Sequence, residues 1–176
     1  VSRGLGDVYK RQSHGRVARF MCSIKYHSGK PFEGDCRALL AQAENKAREL
    51  GYTVKAGAEC EFYLFKLDEK GNATSTPFDN AGYMDVAPLD RGENVRREIC
   101  LTLEDMGIQP ESSHHEKGPG QNEIDFKFSD ALITADRLVT VKWVISTVAA
   151  RNGLHASFEP MPLSLIHISE PTRHSL

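Results

Sequence analysis

Across 176 residues there are four cysteines, one tryptophan and a formal net charge of only -2. Each scarcity excludes something. Cys22, Cys36, Cys60 and Cys100 are spaced too widely and irregularly for a zinc ribbon or a small disulfide framework. Reduced, mostly buried thiols of a cytosolic protein are expected instead. A charge balance so close to neutral gives no support to nucleic-acid or anionic-membrane binding, both of which favour basic patches. No apolar run approaches the ~18 residues of a membrane span. The basic N-terminus has no apolar h-region behind it and no initiator Met, so a signal peptide is not expected and the start reads as non-natural or processed. There is no Walker-type glycine loop and no dinucleotide fingerprint, so any nucleotide must be held by other means.

What is present is a mixed α and β pattern. Residues 16–26 read as a strand followed by a Ser28-Gly29-Lys30-Pro31 turn. From Asp35 to Leu50 the period is helical, with Leu39, Leu40, Ala43, Ala47 and Leu50 near one face and Gly51 as a left-handed cap. Residues 52–55 and 59–67 read as strands, and 68–82 as a loop or loose hairpin. Asp90 reads as the start of the strongest helix, with Glu93 three residues on as in a capping box. Val95, Ile99, Leu103 and Met106 form its buried stripe, and Gly107 ends it. Residues 122–128 alternate, placing Ile124, Phe126 and Phe128 on one face and Glu123, Asp125 and Lys127 on the other. A long helix is expected over 130–151, facing inward with Leu138, Val141, Ile145 and Val148, and a last strand over 154–159. The fold class is α+β.

The carboxylates carry the chemistry. Glu59 and Glu61 lie two apart in an apolar, aromatic strand, so they share a face and sit roughly 6.5–7 Å apart. Cys60 and Phe62 point the other way. Two anions on so apolar a strand repel each other, and a cation is the simplest remedy, although solvated acidic pairs are common. A second cluster runs His114-His115-Glu116-Lys117-Gly118-Pro119-Gly120-Gln121-Asn122-Glu123. Its Gly-Pro-Gly turn could fold the chain back and bring Glu116 near Glu123. Magnesium or manganese, which prefer carboxylate oxygens, would suit such a set. The adjacent histidines point to opposite faces, so at least one reads as structural or substrate-lining. Lys127 and the Arg96-Arg97 pair read as a solvated face or as ion pairs.

These segments resemble a known family, the glutamine synthetases. Residues 57–65 (GAECEFYLF) resemble its Gly-x-Glu-x-Glu-Phe-Phe-Leu-Phe signature, and 113–128 (SHHEKGPGQNEIDFKF) its second metal motif. Residues 82–108 and 135–158 resemble the intervening and following segments. The short spacing across Gly-Pro-Gly looks like the class I bacterial form. The resemblance implies part of a catalytic domain with a curved, largely antiparallel sheet and helices packed outside, preceded by the last strand of an N-terminal β-grasp domain. It implies that Glu61, Glu116 and Glu123 hold one Mg2+ or Mn2+ and that Glu59 is a ligand of a second. It also implies that Glu111 contacts ATP, that Phe128 lies beside the nucleotide, and that Tyr83 lines an ammonium pocket. The implied reaction joins L-glutamate and ammonia at the expense of ATP through γ-glutamyl phosphate, in a cytoplasmic dodecamer of two hexameric rings. A non-catalytic relative with a structural or interaction role, or a ligase for a larger amine, stays open.

Residues 1–12 and 163–176 resemble translated adapter tails, with a mobile terminus and a short native tail as the alternative. The units expected are therefore 13–34, the end of the β-grasp domain, and 35–162, the N-terminal part of the catalytic domain. Residues 158–162 depart from the family's Phe-Met-Pro-Lys-Pro. The family's Asn-Gly-Ser-Gly-Met-His segment, its glutamate- and phosphate-binding arginines and its late catalytic glutamate find no match in the chain. The isolated chain is therefore expected to be inactive alone.

Overall fold

The computed structural model describes residues 18–160. The expected tails, and residues 13–17, 161 and 162, lie outside the described residues. The elements are α1 (Cys36–Glu49), β1 (Lys55–Leu67), β2 (Ala73–Pro77), α2 (Glu93–Asp105), β3 (Pro110–His115), β4 (Gln121–Asp130), α3 (Ala131–Arg151) and β5 (Leu154–Ser157).

The strands form one sheet in the order β2-β1-β4-β3, with β5 also pairing β1, and every pairing is antiparallel. Alternation gives the sheet two different faces. One face carries Cys60, Phe62, Leu64, Ile124 and Phe126, which pack against Val95, Ile99 and Leu103 of α2 and Val141, Ile145 and Val148 of α3. Phe62, Leu64, Ile99 and Ile145 are fully buried, and burial of such side chains stabilises by about 1.5–3 kcal/mol each. The expected inner faces of α2 and α3 are those observed, and Gly51 adopts the expected left-handed conformation, with φ 85°.

Four expectations are corrected. The strand expected over 16–26 is, among the described residues, a single bridge between Lys25 and Pro31. A strand needs a neighbour along its edge, and none of the described strands runs beside it. Residues 52–54 are not a strand, and β1 is one strand beginning at Lys55. The apolar side of α1 is not buried: Leu39 is 51% and Leu50 65% exposed. This helix lies outside α3 and is fastened by polar contacts. Arg37 makes a bidentate pair with Asp136, both distances 2.9 Å, and Glu44 accepts from the Leu132 N–H at 2.9 Å. Finally, Asp90 does not cap α2. The cap position is Gly92, and Asp90 is buried in an ion pair with Arg96 at 2.6 Å.

That pair is the centre of a polar knot beneath the sheet. Arg96 also donates to Asn122 Oδ1 at 2.6 Å and to Ser113 Oγ at 3.3 Å. It thus joins the start of α2 to β3 and β4. Gly92 allows the approach, because a Cβ there would meet Asn122 Oδ1 at 2.7 Å. Arg97, by contrast, pairs with Glu93 on an exposed helix face. Among the cysteines Cys60 is buried and Cys100 half-buried, but Cys22 and Cys36 are exposed, against the expectation of mostly buried thiols. Burial pushes the Cys60 thiol up to about 11, so it stays protonated and inert.

Candidate metal centre

The sheet face opposite the helices is where the acidic residues gather. Across β1 and β4, Glu59 stands opposite Asp125, Glu61 opposite Glu123 and Tyr63 opposite Gln121. On the far side of β4, Ser112 stands opposite Asp125 and His114 opposite Glu123. Directly opposed residues of an antiparallel pair share a face, about 4.5–5.5 Å apart. The register therefore builds two adjacent rows, Glu59–Asp125–Ser112 and Glu61–Glu123–His114.

Glu116 joins them from the turn after β3. Its N–H donates to the Gln121 carbonyl at 2.8 Å, closing the hairpin over Gly118-Pro119-Gly120. Gly120 has φ 65°, and a Cβ on it would meet the Leu64 carbonyl at 2.7 Å, so the turn depends on glycine there. Folded back this way, Glu116 Oε1 lies 3.8 Å from His114 Nδ1, and His114 Nε2 lies 3.6 Å from Glu123 Oε2. Gln121 donates to Glu61 Oε2 at 2.6 Å.

The two histidines divide as alternation requires. His114 enters the acidic face, while His115 is fully buried on the other side. Both His115 ring nitrogens face oxygens: Nε2 lies 2.9 Å from Asp79 Oδ1, and Nδ1 2.6 Å from the Glu116 carbonyl. Asp79 also accepts from the N–H groups of Arg91 and Gly120, at 2.9 and 3.2 Å. Burial raises the Asp79 pKa, but these hydrogen bonds outweigh it and hold the carboxyl below its ordinary 3.8. A depressed carboxyl stabilises the fold above its unfolded value and loses that contribution as pH falls through the folded one. Urea unfolding should therefore show stability dropping as pH falls below about 3.8. Asp79→Asn should flatten that limb, and at pH 7 cost about 1–3 kcal/mol by leaving a buried donor unpaired.

Burial and mutual repulsion crowd negative charge in the acidic cluster. Burial, then the neighbouring Asp125 and Glu116 carboxylates, push Glu123 up to about 8. Burial, then Glu61 and Glu116, raise the Tyr63 phenol. Asp125 Oδ1 is buried with no hydrogen-bond partner. One ligand atom from each of His114, Glu123 and Asp125 lies within 4.8 Å of the others. Carboxylate oxygens with one imidazole suit a hard or borderline divalent cation such as Mg2+ or Mn2+. The donor set and the orphaned oxygen both fit such an ion.

Glu61 thus stands across the strands from Glu123, Glu116 and Glu123 flank His114, and Glu59 lies one row along. The ligand atoms that come within 4.8 Å of one another are those of His114, Glu123 and Asp125 rather than of the three glutamates. Tyr83 is half-exposed, its ring edge-on to His114 with centroids 5.6 Å apart. Phe128 differs from expectation. A bulge pairs Ala58 with Phe126 but Ala56 with Ser129, so β4 carries one extra residue there. The alternation flips beyond it. Phe128 is consequently 56% exposed rather than on the face of Ile124 and Phe126, lies on the glutamate face beside Gly57, and has Lys55 Nζ 5.7 Å from its ring centroid. It borders a cavity of about 360 Å³ also lined by Lys55, Lys127 and Arg137. Glu111 is exposed at another bulge, between Pro110 and Ser112, and is not joined to the cluster. Asp125 and His114 are members that sequence reasoning did not single out as ligands. The two-residue spacing Glu123-x-Asp125, which repeats Glu59-x-Glu61, was the available signal.

The comparisons with known proteins identify the family. The family model described as glutamine synthetase, catalytic domain, matches residues 33–169. A glutamine synthetase of Clostridium saccharobutylicum is 54% identical over 153 residues, which is 87% of this chain and 34% of that protein. One from Staphylococcus aureus is 51% identical over 150 residues, 85% of this chain and 34% of that protein. The chain therefore spans about a third of the length of these curated relatives. Among solved structures, Plasmodium falciparum glutamine synthetase superposes with a TM-score of 0.77 at 26% identity, over 91% of this chain and 37% of that one. GmaS, solved as an ADP complex, gives 0.69 at 34% identity, over 82% and 33%. On the match over 33–169, the chain belongs to the glutamine synthetase catalytic-domain family.

Proposed function

We propose that this chain carries the cation-holding part of an ATP-dependent glutamate–ammonia ligase. The observation that supports it is the pairing of Glu61 with Glu123 across β1 and β4, with Glu116 folded back from the turn so that it and Glu123 flank His114. In this reading those three carboxylates hold a Mg2+ or Mn2+ near the γ-carboxylate of L-glutamate and the transferred phosphoryl. Glu59, one row along, serves a second ion on the ATP phosphates. Bound cations neutralise charge as the phosphoryl moves, the main task in such transfers. Gln121 holds the Glu61 carboxylate in place, and the Asp79–His115 pair fixes the hairpin that presents Glu116.

The nucleotide is proposed to lie along the same face towards Phe128. There the cavity offers an aromatic ring with Lys55, Lys127 and Arg137, a suitable setting for an anionic nucleotide. ADP in the GmaS structure supports nucleotide binding by this fold. Glu111 is assigned an ATP contact, and Tyr83, beside His114, the ammonium pocket. No helix among the described residues is long and apolar enough to cross a membrane, and a cytoplasmic homo-oligomer of two hexameric rings is proposed by family.

Incubated with Mn2+, ATP, L-glutamate and ammonium, the 176-residue chain is expected to make no glutamine above a blank. It is expected to bind ADP in a Mn2+-dependent manner, and Phe128→Ala should weaken that binding. Glutamine formation would contradict the expected inactivity of the isolated chain. Failure to bind ADP at millimolar concentration with Mn2+ present would remove the ligase reading of this face.

A further inference from the structure

The three glutamates leave one carboxylate of the acidic face without a task. Asp125 sits two residues from Glu123, directly across from Glu59 on β1 and from Ser112 on β3. Its two oxygens differ. Oδ2 accepts a hydrogen bond from the Ser112 hydroxyl. Oδ1 is buried and has no hydrogen-bond partner. An acceptor taken out of water without a donor carries its full desolvation penalty, so such an atom calls for an explanation.

Geometry supplies one. Ligand atoms of Asp125, Glu123 and His114 lie within 4.8 Å of one another. Ligands on opposite sides of a divalent ion, each 2.0–2.6 Å from it, are separated by roughly 4–5 Å. The Ser112 hydroxyl occupies one carboxylate oxygen and so fixes the direction of the other. We propose that Asp125 is a further oxygen ligand of the cation, and that Ser112 is the positioning residue that aims it. This rests on the cation reading given above. It extends the ligand set from Glu61, Glu116 and Glu123 towards Glu59, making the two rows one continuous acidic site.

The alternative is that Asp125 is structural and shares a proton with Glu123. Mn2+ titration followed by electron paramagnetic resonance, with melting curves in the presence and absence of Mn2+, separates the two on the 176-residue chain. Asp125→Asn is expected to weaken Mn2+ binding about tenfold or more. Without metal the same variant should melt no lower than wild type, because it relieves crowding of negative charge. Ser112→Ala should weaken Mn2+ binding in the same direction. Should Asp125→Asn bind Mn2+ as tightly as wild type while Glu61→Gln does not, this inference is overturned and the cation site stands. Should the wild-type chain bind no Mn2+, both are overturned. If metal-free Asp125→Asn melts lower, Ser112→Ala decides, and unchanged Mn2+ affinity in that variant overturns the proposal.

Discussion

Arg96→Ala is expected to lower the unfolding free energy by about 3–5 kcal/mol, because it leaves a buried charge without its partner. The Asp90 side chain is 2% exposed and that of Arg96 5%. Two guanidinium nitrogens contact the two Asp90 oxygens at 3.1 and 2.6 Å, and one of them also reaches Asn122. Removing the guanidinium thus leaves Asp90 without its counter-charge, with only the Gly92 N–H still donating to it, and takes a donor from Asn122 at once. Lysine is not a conservative replacement, since one ammonium cannot span Asp90, Asn122 and Ser113 in the fork that Arg96 provides. Arg97→Ala is the internal control. Its pair with Glu93 is exposed, and such pairs contribute about 0.3–0.5 kcal/mol. Urea unfolding of the two variants should therefore differ by several-fold in lost stability. Equal small losses would mean that the Asp90 charge finds another partner. The consequence extends to the candidate site, because Asn122 immediately precedes Glu123 on β4.

The second large effect concerns the acidic face. Mn2+ at about 100 times its dissociation constant should stabilise the chain by about 2.7 kcal/mol, since it binds the folded state alone. For a chain of this size that is a rise in melting temperature of roughly 5–11 °C. Glu123→Ala should abolish the rise. Glu123 faces Glu61 across the strands and His114 on its other side, so no other residue can take its place at the centre of the row. The same variant should melt higher than wild type in the absence of metal, because burial and neighbouring carboxylates disfavour the Glu123 anion. Opposite signs with and without Mn2+ distinguish a cation site from an acidic patch that merely tolerates its own repulsion.

Much of this was legible in the sequence, and the exceptions have physical causes. The period of Val95, Ile99, Leu103 and Met106, and that of Val141, Ile145 and Val148, reported faces that are in fact buried. Glu59 and Glu61 could be placed on one face because strand side chains alternate without exception between bulges. Where a bulge intervenes, the same logic misplaces a residue. Phe128 reads from alternation as sharing the face of Ile124 and Phe126, because the extra residue in β4 cannot be seen from hydrophobicity. Strand β3 was invisible for a different reason. As an edge strand with serines, histidines and a glutamate, it shows no apolar alternation, and β4 alone supplies its ladder.

Long-range polar pairing was the least legible layer. Asp90 satisfied a local capping pattern, yet in the structure it accepts only the Gly92 N–H at the helix start and gives both oxygens to the buried Arg96 guanidinium six residues further on. The tie from His115 to Asp79 spans loops with no local signature. The places of Asp125 and His114 in the two rows follow from register, which sets Asp125 beside Glu59 and His114 beside Glu123.

Equilibrium binding of Mn2+ to the wild-type chain and to Glu116→Ala tests the metal centre most directly. Glu116 reaches the cluster only through the Gly118-Pro119-Gly120 turn, so its contribution depends on the folded hairpin rather than on local sequence. Saturable binding by the wild type, weakened about tenfold or more by the substitution, is the expected result. Equal affinity of the two proteins for Mn2+ would contradict it.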